Sequence, residues 1–123
     1  MSGLAMAAAG GLPGKPLVDI RTYTIRPRAM AEFLEVFDRL AMPVLTRAIG
    51  TPLGFYTSLI GPLNQFTHLW AYEGLADYEA RGALRDADPQ WPTYLGASGH
   101  LIIAQENRLV RAAAMPSLTA GAP

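Results

Sequence analysis

The stretch Gln65–Tyr72, QFTHLWAY, leaves the chain around it few options. It follows Gly61-Pro62-Leu63-Asn64, a turn sequence with proline at its second position, where a fixed φ is wanted, and asparagine at its end. Side chains of a strand alternate between its two faces. One face therefore presents Phe66, His68, Trp70 and Tyr72, and the other Gln65, Thr67, Leu69 and Ala71. The second set is mostly small and suits close packing beneath helices. The first is bulky and polar-tipped, because an indole N–H, a phenol O–H and an imidazole all need partners when buried. The expectation is that helices lie on the small face, while a second layer, a ligand or a second subunit covers the aromatic one.

The flanking segments supply the rest of a small sheet. Leu17–Ile25 alternates and is rich in β-branched residues, so it reads as a strand. It carries Val18, Ile20, Thr22 and Thr24 on one face and Asp19, Arg21, Tyr23 and Ile25 on the other. Arg28–Met42 places Met30, Phe33, Phe37, Leu40 and Ala41 at helical spacing. Pro43 is expected to kink or end that helix, and Gly50 to close any continuation in the left-handed conformation. Leu53–Ile60 reads as a second strand, forming a hairpin with the third. Leu75–Arg85 reads as a second helix carrying Leu75, Tyr78 and Leu84. Asp88-Pro89 reads as an N-cap and first helical position for a short turn reaching Leu95. Leu101–Val110 reads as the fourth strand.

That order predicts an α+β fold, a ferredoxin-like βαββαβ sandwich with a four-stranded antiparallel sheet and two helices on one face. The first and third strands are expected side by side in the middle, parallel to each other within the otherwise antiparallel sheet. Neighbouring strands lie about 4.8 Å apart. Arg21 and Tyr23 are thus expected beside His68, Trp70 and Tyr72 on the open face.

Composition narrows the function classes. The 123 residues allow one domain and one core. Residues 1–16 read as a flexible N-terminal extension, 17–111 as the folding unit and 112–123 as a tail. Ten basic residues balance ten acidic ones, so no electrostatic footprint points to nucleic acid or an anionic membrane. RNA-recognition domains share this topology, but QFTHLWAY lacks their basic-Gly-aromatic signature. No apolar run approaches the ~18 residues of a membrane span. No basic residue precedes Leu4–Ala9 as a secretory signal requires, and no arginine marks a transit peptide. The absence of cysteine excludes disulfides and thiol chemistry, and it fits a reducing, cytoplasmic location.

Several stretches carry a family resemblance. They are Ile20 to Thr24 (IRTYT), Gly54 to Tyr56 (GFY), and Gly61 to Tyr72 (GPLNQFTHLWAY). Asp88 to Trp91 (DPQW) with Tyr94 and Leu95, and Gln105 to Asn107 (QEN), complete the set. Together they resemble the NIPSNAP family. The resemblance implies a homodimer in which two ferredoxin-like units pack open face to open face into an α/β barrel. The wider superfamily includes oxygenases, isomerases and proteins with no known activity, and no catalytic motif transfers.

His68 is the sharpest candidate for chemistry. As a general base it would work with Arg21 holding an anionic substrate and Tyr23 or Tyr72 donating to a developing oxyanion. The competing reading is a satisfied histidine stacked between aromatics. Arg21 reads either as an anion clamp or as one half of a salt bridge with Glu106. The expected pocket comprises Arg21, Tyr23, Tyr56, Asn64, Trp70, Tyr72, Trp91 and Glu106, although Asn64 has a sufficient role in its turn. Trp91 and Tyr94 are expected to pack down the short helix or cover a barrel mouth. His100 stands apart from His68, so no metal site is expected, and no phosphate loop, GxSxG or HExxH suggests a cofactor or a familiar hydrolase. Two readings remain. The first is a homodimeric barrel for a small organic ligand, whose activity, if any, would be a cofactor-free oxygenase or isomerase type with His68 as base. The second is an interaction module whose barrel is only the dimer core.

Overall fold

The alternating segments become four strands and the periodic ones helices in the computed structural model, which describes residues 11–120. The assignments within residues 1–10 and 121–123 lie outside these. In order the elements are β1 (Leu17–Ile25), α1 (Met30–Val36), a π-helical turn (Phe37–Ala41), α2 (Met42–Ala48), β2 (Pro52–Thr57), β3 (Gln65–Tyr72), α3 (Leu75–Ala87), α4 (Trp91–Ser98), β4 (Ile102–Arg111) and α5 (Pro116–Ala120).

The sheet order is β2-β3-β1-β4, and every neighbouring pair is antiparallel. This is the ferredoxin-like α+β arrangement, with one correction: the central strands β1 and β3 run antiparallel, not parallel. The geometry requires it, since β3 returns from β2 through a hairpin while the helical crossover leaves β2 running with β1.

Pro43 does not end the first helix. It has no N–H to offer the carbonyl of Arg39, and its ring would crowd that carbonyl in α geometry. The chain widens by one residue instead: the Met42 N–H bonds to the Phe37 carbonyl, and α2 then continues to Ala48. Gly50 closes the helix at φ +110°, its N–H on the Leu45 carbonyl, as the sequence predicts.

The strand parity is correct, but the assignment of faces is reversed. The helices cover the aromatic face. Tyr23, Phe66, Trp70 and Tyr72 form the core with Phe33, Phe37, Leu45 and Tyr94. Phe33 meets Tyr23 and Phe66 edge-on at 6.2 and 5.3 Å, and Phe37 meets Phe66 at 5.0 Å. Tilted aromatic pairs fill the interlayer space without close backbone approach, and each contributes about 0.5–1.5 kcal/mol beyond its buried area. The opposite face carries Ile20, Thr22, Thr24, Thr67 and Leu69, all half-buried, with the Thr22 and Thr67 hydroxyls 3.2 Å apart. On α3, Leu75 and Leu84 are exposed and Tyr78 faces inward.

Candidate functional site

A cleft of about 510 Å³ opens between the sheet and the helices that cover it. The inner face of β1 supplies Arg21 and Tyr23, and β3 supplies His68 and Trp70. Leu45 and Ile49 come from the end of the first helix, Arg85 from α3, and Trp91, Tyr94, Leu95 and Ser98 from α4. The bulged start of β4 adds Ile102 to Gln105. The volume is that of a small-molecule site.

His68 sits at the centre of the inner face and is 2% exposed. Tyr23 and Phe37 meet its ring edge-on at 4.9 and 5.3 Å, and Phe66 stacks on it at 5.0 Å. Trp70 Nε1–H donates to His68 Nδ1 at 2.8 Å. An indole nitrogen only donates, so Nδ1 is an acceptor, and the neutral ring carries its proton on Nε2. That Nε2 is buried with no hydrogen-bond partner. Burial first, and then the nearby Arg21 charge, lower the His68 pKa to about 3. His68 is therefore a neutral donor at physiological pH. In this arrangement Nδ1 accepts and Nε2 holds the proton, so the group His68 has free to offer is a hydrogen-bond donor. The Tyr94 hydroxyl, beside Ser98, is likewise buried with no partner at bonding geometry, and burial raises its pKa.

Arg21 pairs with Asp19 on its own strand and not with Glu106. Its Nε donates to Asp19 Oδ2 at 2.8 Å and its Nη2 to the Tyr78 hydroxyl at 3.2 Å. Asn107 donates to Asp19 Oδ1 and to the same hydroxyl, each at 3.2 Å. The fully buried Asp19 thus has both oxygens satisfied. Burial opposes the Arg21 charge, but Tyr23 and Asp19 more than offset it, so the guanidinium stays ionised. Glu106 does not pair with Arg21. It lies opposite Thr22 on the other sheet face, exposed.

Of the sequence-predicted set, Arg21, Tyr23, His68, Trp70 and Trp91 converge on the cleft. Four do not. Tyr72 shares their sheet face but lies at its far end, stacked edge-on against Tyr78 at 5.0 Å beside a separate cavity of about 290 Å³. Asn64 holds its turn at φ +62°, its carbonyl accepting the Ile25 N–H at 2.7 Å. Tyr56 is exposed opposite Thr67 on the outer face, as is Glu106. Trp91 forms a cleft wall under the Arg85 guanidinium, 5.6 Å above its ring. Sequence reasoning missed Arg85, Ser98 and Gln105. For Tyr94 the available signal was its i,i+3 spacing from Trp91 on one helical face. Among the described residues no cluster of three or more His, Asp or Glu side chains is placed to hold a metal, and no helix is long and apolar enough to cross a membrane.

The NIPSNAP family model matches residues 18–116. The chain is similar to a NIPSNAP family protein with unknown function from Agrobacterium tumefaciens str. C58, at 30% identity and a TM-score of 0.77, covering 84% of this chain and 93% of that one. It is similar to an uncharacterized NIPSNAP-like domain protein from Burkholderia xenovorans at 33% identity and a TM-score of 0.74, covering 79% and 84%. A protein from Nitrosomonas europaea named after the antibiotic biosynthesis monooxygenases shares the fold alone, at 14% identity, a TM-score of 0.56 and coverage of 76% and 95%. No curated protein matches the chain.

Proposed function

The chain belongs to the NIPSNAP family, and from that premise we propose that it is a cytoplasmic, homodimeric protein that binds a small organic ligand in the cleft between its sheet and helices. One observation carries this reading. Two buried polar atoms without partners, His68 Nε2 and Tyr94 Oη, belong to residues that wall the same cleft. Each such atom costs about 1–3 kcal/mol when left unpaired, so a ligand that bonds to them recovers that energy on binding. Arg21 and Arg85 in the walls, each paired with a carboxylate through Nε, present further N–H donors, and Leu45, Ile49 and Leu95 give an apolar body room. The ligand site lies within one protomer, between sheet and helices, and not in a barrel between subunits. With His68 acting as a donor, the function is binding; turnover would need a different proton acceptor. The proposed partners are a small molecule and a second copy of the chain, with no nucleic acid or membrane, in keeping with ten basic residues against ten acidic.

Thermal-shift screening against small carboxylates and hydroxy-aromatics tests this. A ligand at 100 times its Kd stabilises by about 2.7 kcal/mol, which is an upward shift of at least ~10 °C for a domain of this size. Hits in the native protein that weaken in Trp91→Ala are expected. The absence of any shift across the panel at millimolar concentration would defeat the reading.

A second reading, the interaction module, is favoured by the β2–β3 loop. Leu59, Ile60 and Leu63 are 88%, 91% and 67% exposed there, within a stretch from Ala48 to Tyr72 that contains no Asp, Glu, Lys or Arg. If that loop is the functional surface, Leu59→Asp with Ile60→Asp abolishes the cellular function and leaves any ligand binding untouched.

A further inference from the structure

Resting on the ligand-binding reading above, we propose that Trp70 is a positioning residue that holds His68 in its Nε2–H form, so that the cleft offers a fixed donor and selects ligands with an acceptor oxygen, small carboxylates above all. The argument is geometric. Imidazole alone exchanges between two neutral forms and can meet a ligand as donor or as acceptor. The 2.8 Å bond from Trp70 Nε1 removes that freedom, because a proton on Nδ1 would face the indole N–H. Both residues lie on one strand, two positions apart, so the strand backbone itself sets their spacing. The orphaned atom is then always a donor. A ligand amine or ammonium at that point would set donor against donor, whereas a carboxylate or carbonyl oxygen completes the bond.

The surrounding charges agree. Two guanidinium groups, Arg21 and Arg85, stand among the described residues that wall the cleft, while the carboxylates they pair with, Asp19 and Asp86, are not among its lining residues. Asp19 lies behind Arg21 and is consumed by it and Asn107. The Tyr94 hydroxyl supplies a second unpaired group among the residues of the same cleft. Indole and imidazole thus act as one unit, with Trp70 deciding what His68 can recognise.

The test uses the full chain labelled with 15N, and three probes of similar shape: benzoate, benzyl alcohol and benzylamine. Imidazole nitrogen shifts distinguish the two neutral forms directly. The expected result is a single Nε2–H form of His68 from pH 5 to 8, an Nε2–H resonance that moves when benzoate is added, and affinities in the order benzoate, benzyl alcohol, benzylamine. Trp70→Phe keeps an aromatic ring but removes the N–H. In that variant a second form of His68 is expected, with benzoate binding weakened in proportion to the Nε2–H fraction lost, about twofold for an even mixture. Circular dichroism and a cooperative melt verify that the variant is folded, and His68→Phe in parallel removes the donor without touching Trp70. An Nδ1–H or mixed form in the native protein overturns this inference whatever binds. An Nε2–H form that benzoate occupies without moving its resonance, or a preference for benzylamine, overturns the selection while leaving ligand binding in place. No binding of any small molecule defeats the function proposed above, and the carboxylate selection with it.

Discussion

A neutral histidine in an aromatic cage makes the protein sensitive to acid in a definite direction. His68 has a pKa of about 3 in the folded chain, against ~6.5 in an unfolded one. Between those values the unfolded state takes up a proton that the folded state refuses, so stability falls as pH drops from about 6.5 towards 3. At pH 4.5 the contribution is a loss of roughly 2–3 kcal/mol relative to pH 7.5. His68→Gln lacks this component. Urea denaturation at the two pH values is expected to show the stability difference between native protein and variant shift by that amount in favour of the variant. A constant difference would mean that His68 takes up its proton in the folded state. The same cage explains why catalysis by His68 was an attractive reading of sequence: a histidine among aromatics has the residue type of a base, and only the Trp70 contact reveals that its lone pair is occupied.

At the scale of elements, the first helix shows how a local defect is absorbed. Pro43 cannot complete α geometry, and the π turn Phe37–Ala41 that accommodates it also lines up Phe37 against His68, Phe66 and Tyr94. The helix end depends on Gly50, whose φ of +110° strains any residue with a side chain. A Cβ there would meet only Lys15 Nζ at 3.9 Å, so the cost of Gly50→Ala is conformational and not a clash. A loss of about 1–3 kcal/mol is expected, read as a lower urea midpoint with an unchanged slope. Equal stability would show that the α2–β2 connection relaxes freely. At the next junction, Asp88 accepts the Gln90 N–H and the Arg47 guanidinium, which together hold its carboxyl below the usual range and fix the approach to α4. The helix then begins at Trp91, three residues after the N-cap predicted at Asp88.

At the scale of the whole molecule, the outer face of the sheet is where a second copy would dock. It is built from Ile20, Thr22, Thr67 and Leu69, and Tyr56 stands exposed at its edge. A stable dimer requires upwards of ~1,200 Å² of buried surface. Sedimentation velocity at micromolar concentration is expected to give a dimer for the native chain and a monomer for Leu69→Arg, with circular dichroism unchanged. A native monomer would remove the homodimer from the proposed function, and a dimeric Leu69→Arg would move the interface elsewhere.

Sequence alone determined the four strands, their order, the helices that connect them and the membership of each strand face, but not the π-helical turn or α5, which lies in the stretch read as a tail. Period-two alternation in LVDIRTYTI and QFTHLWAY is a local property, and so are the turn at Gly61–Asn64 and the stop at Gly50. The convergence of Arg21, Tyr23, His68 and Trp70 followed from parity and adjacency. Which face the helices cover was not local. The bulky set pairs within itself, Trp70 donating to His68, while the charged residues beside it on β1, Arg21 and Asp19, find Tyr78 and Asn107, 57 and 88 residues away in the chain. The β1–β4 register, which sets Glu106 beside Thr22 and so marks the outer face, is equally invisible before the strands pair. The tertiary structure decided the remainder: the burial of the aromatic face, the cleft that α4 helps to wall, and the hydrogen bond from Trp70 that occupies His68 Nδ1.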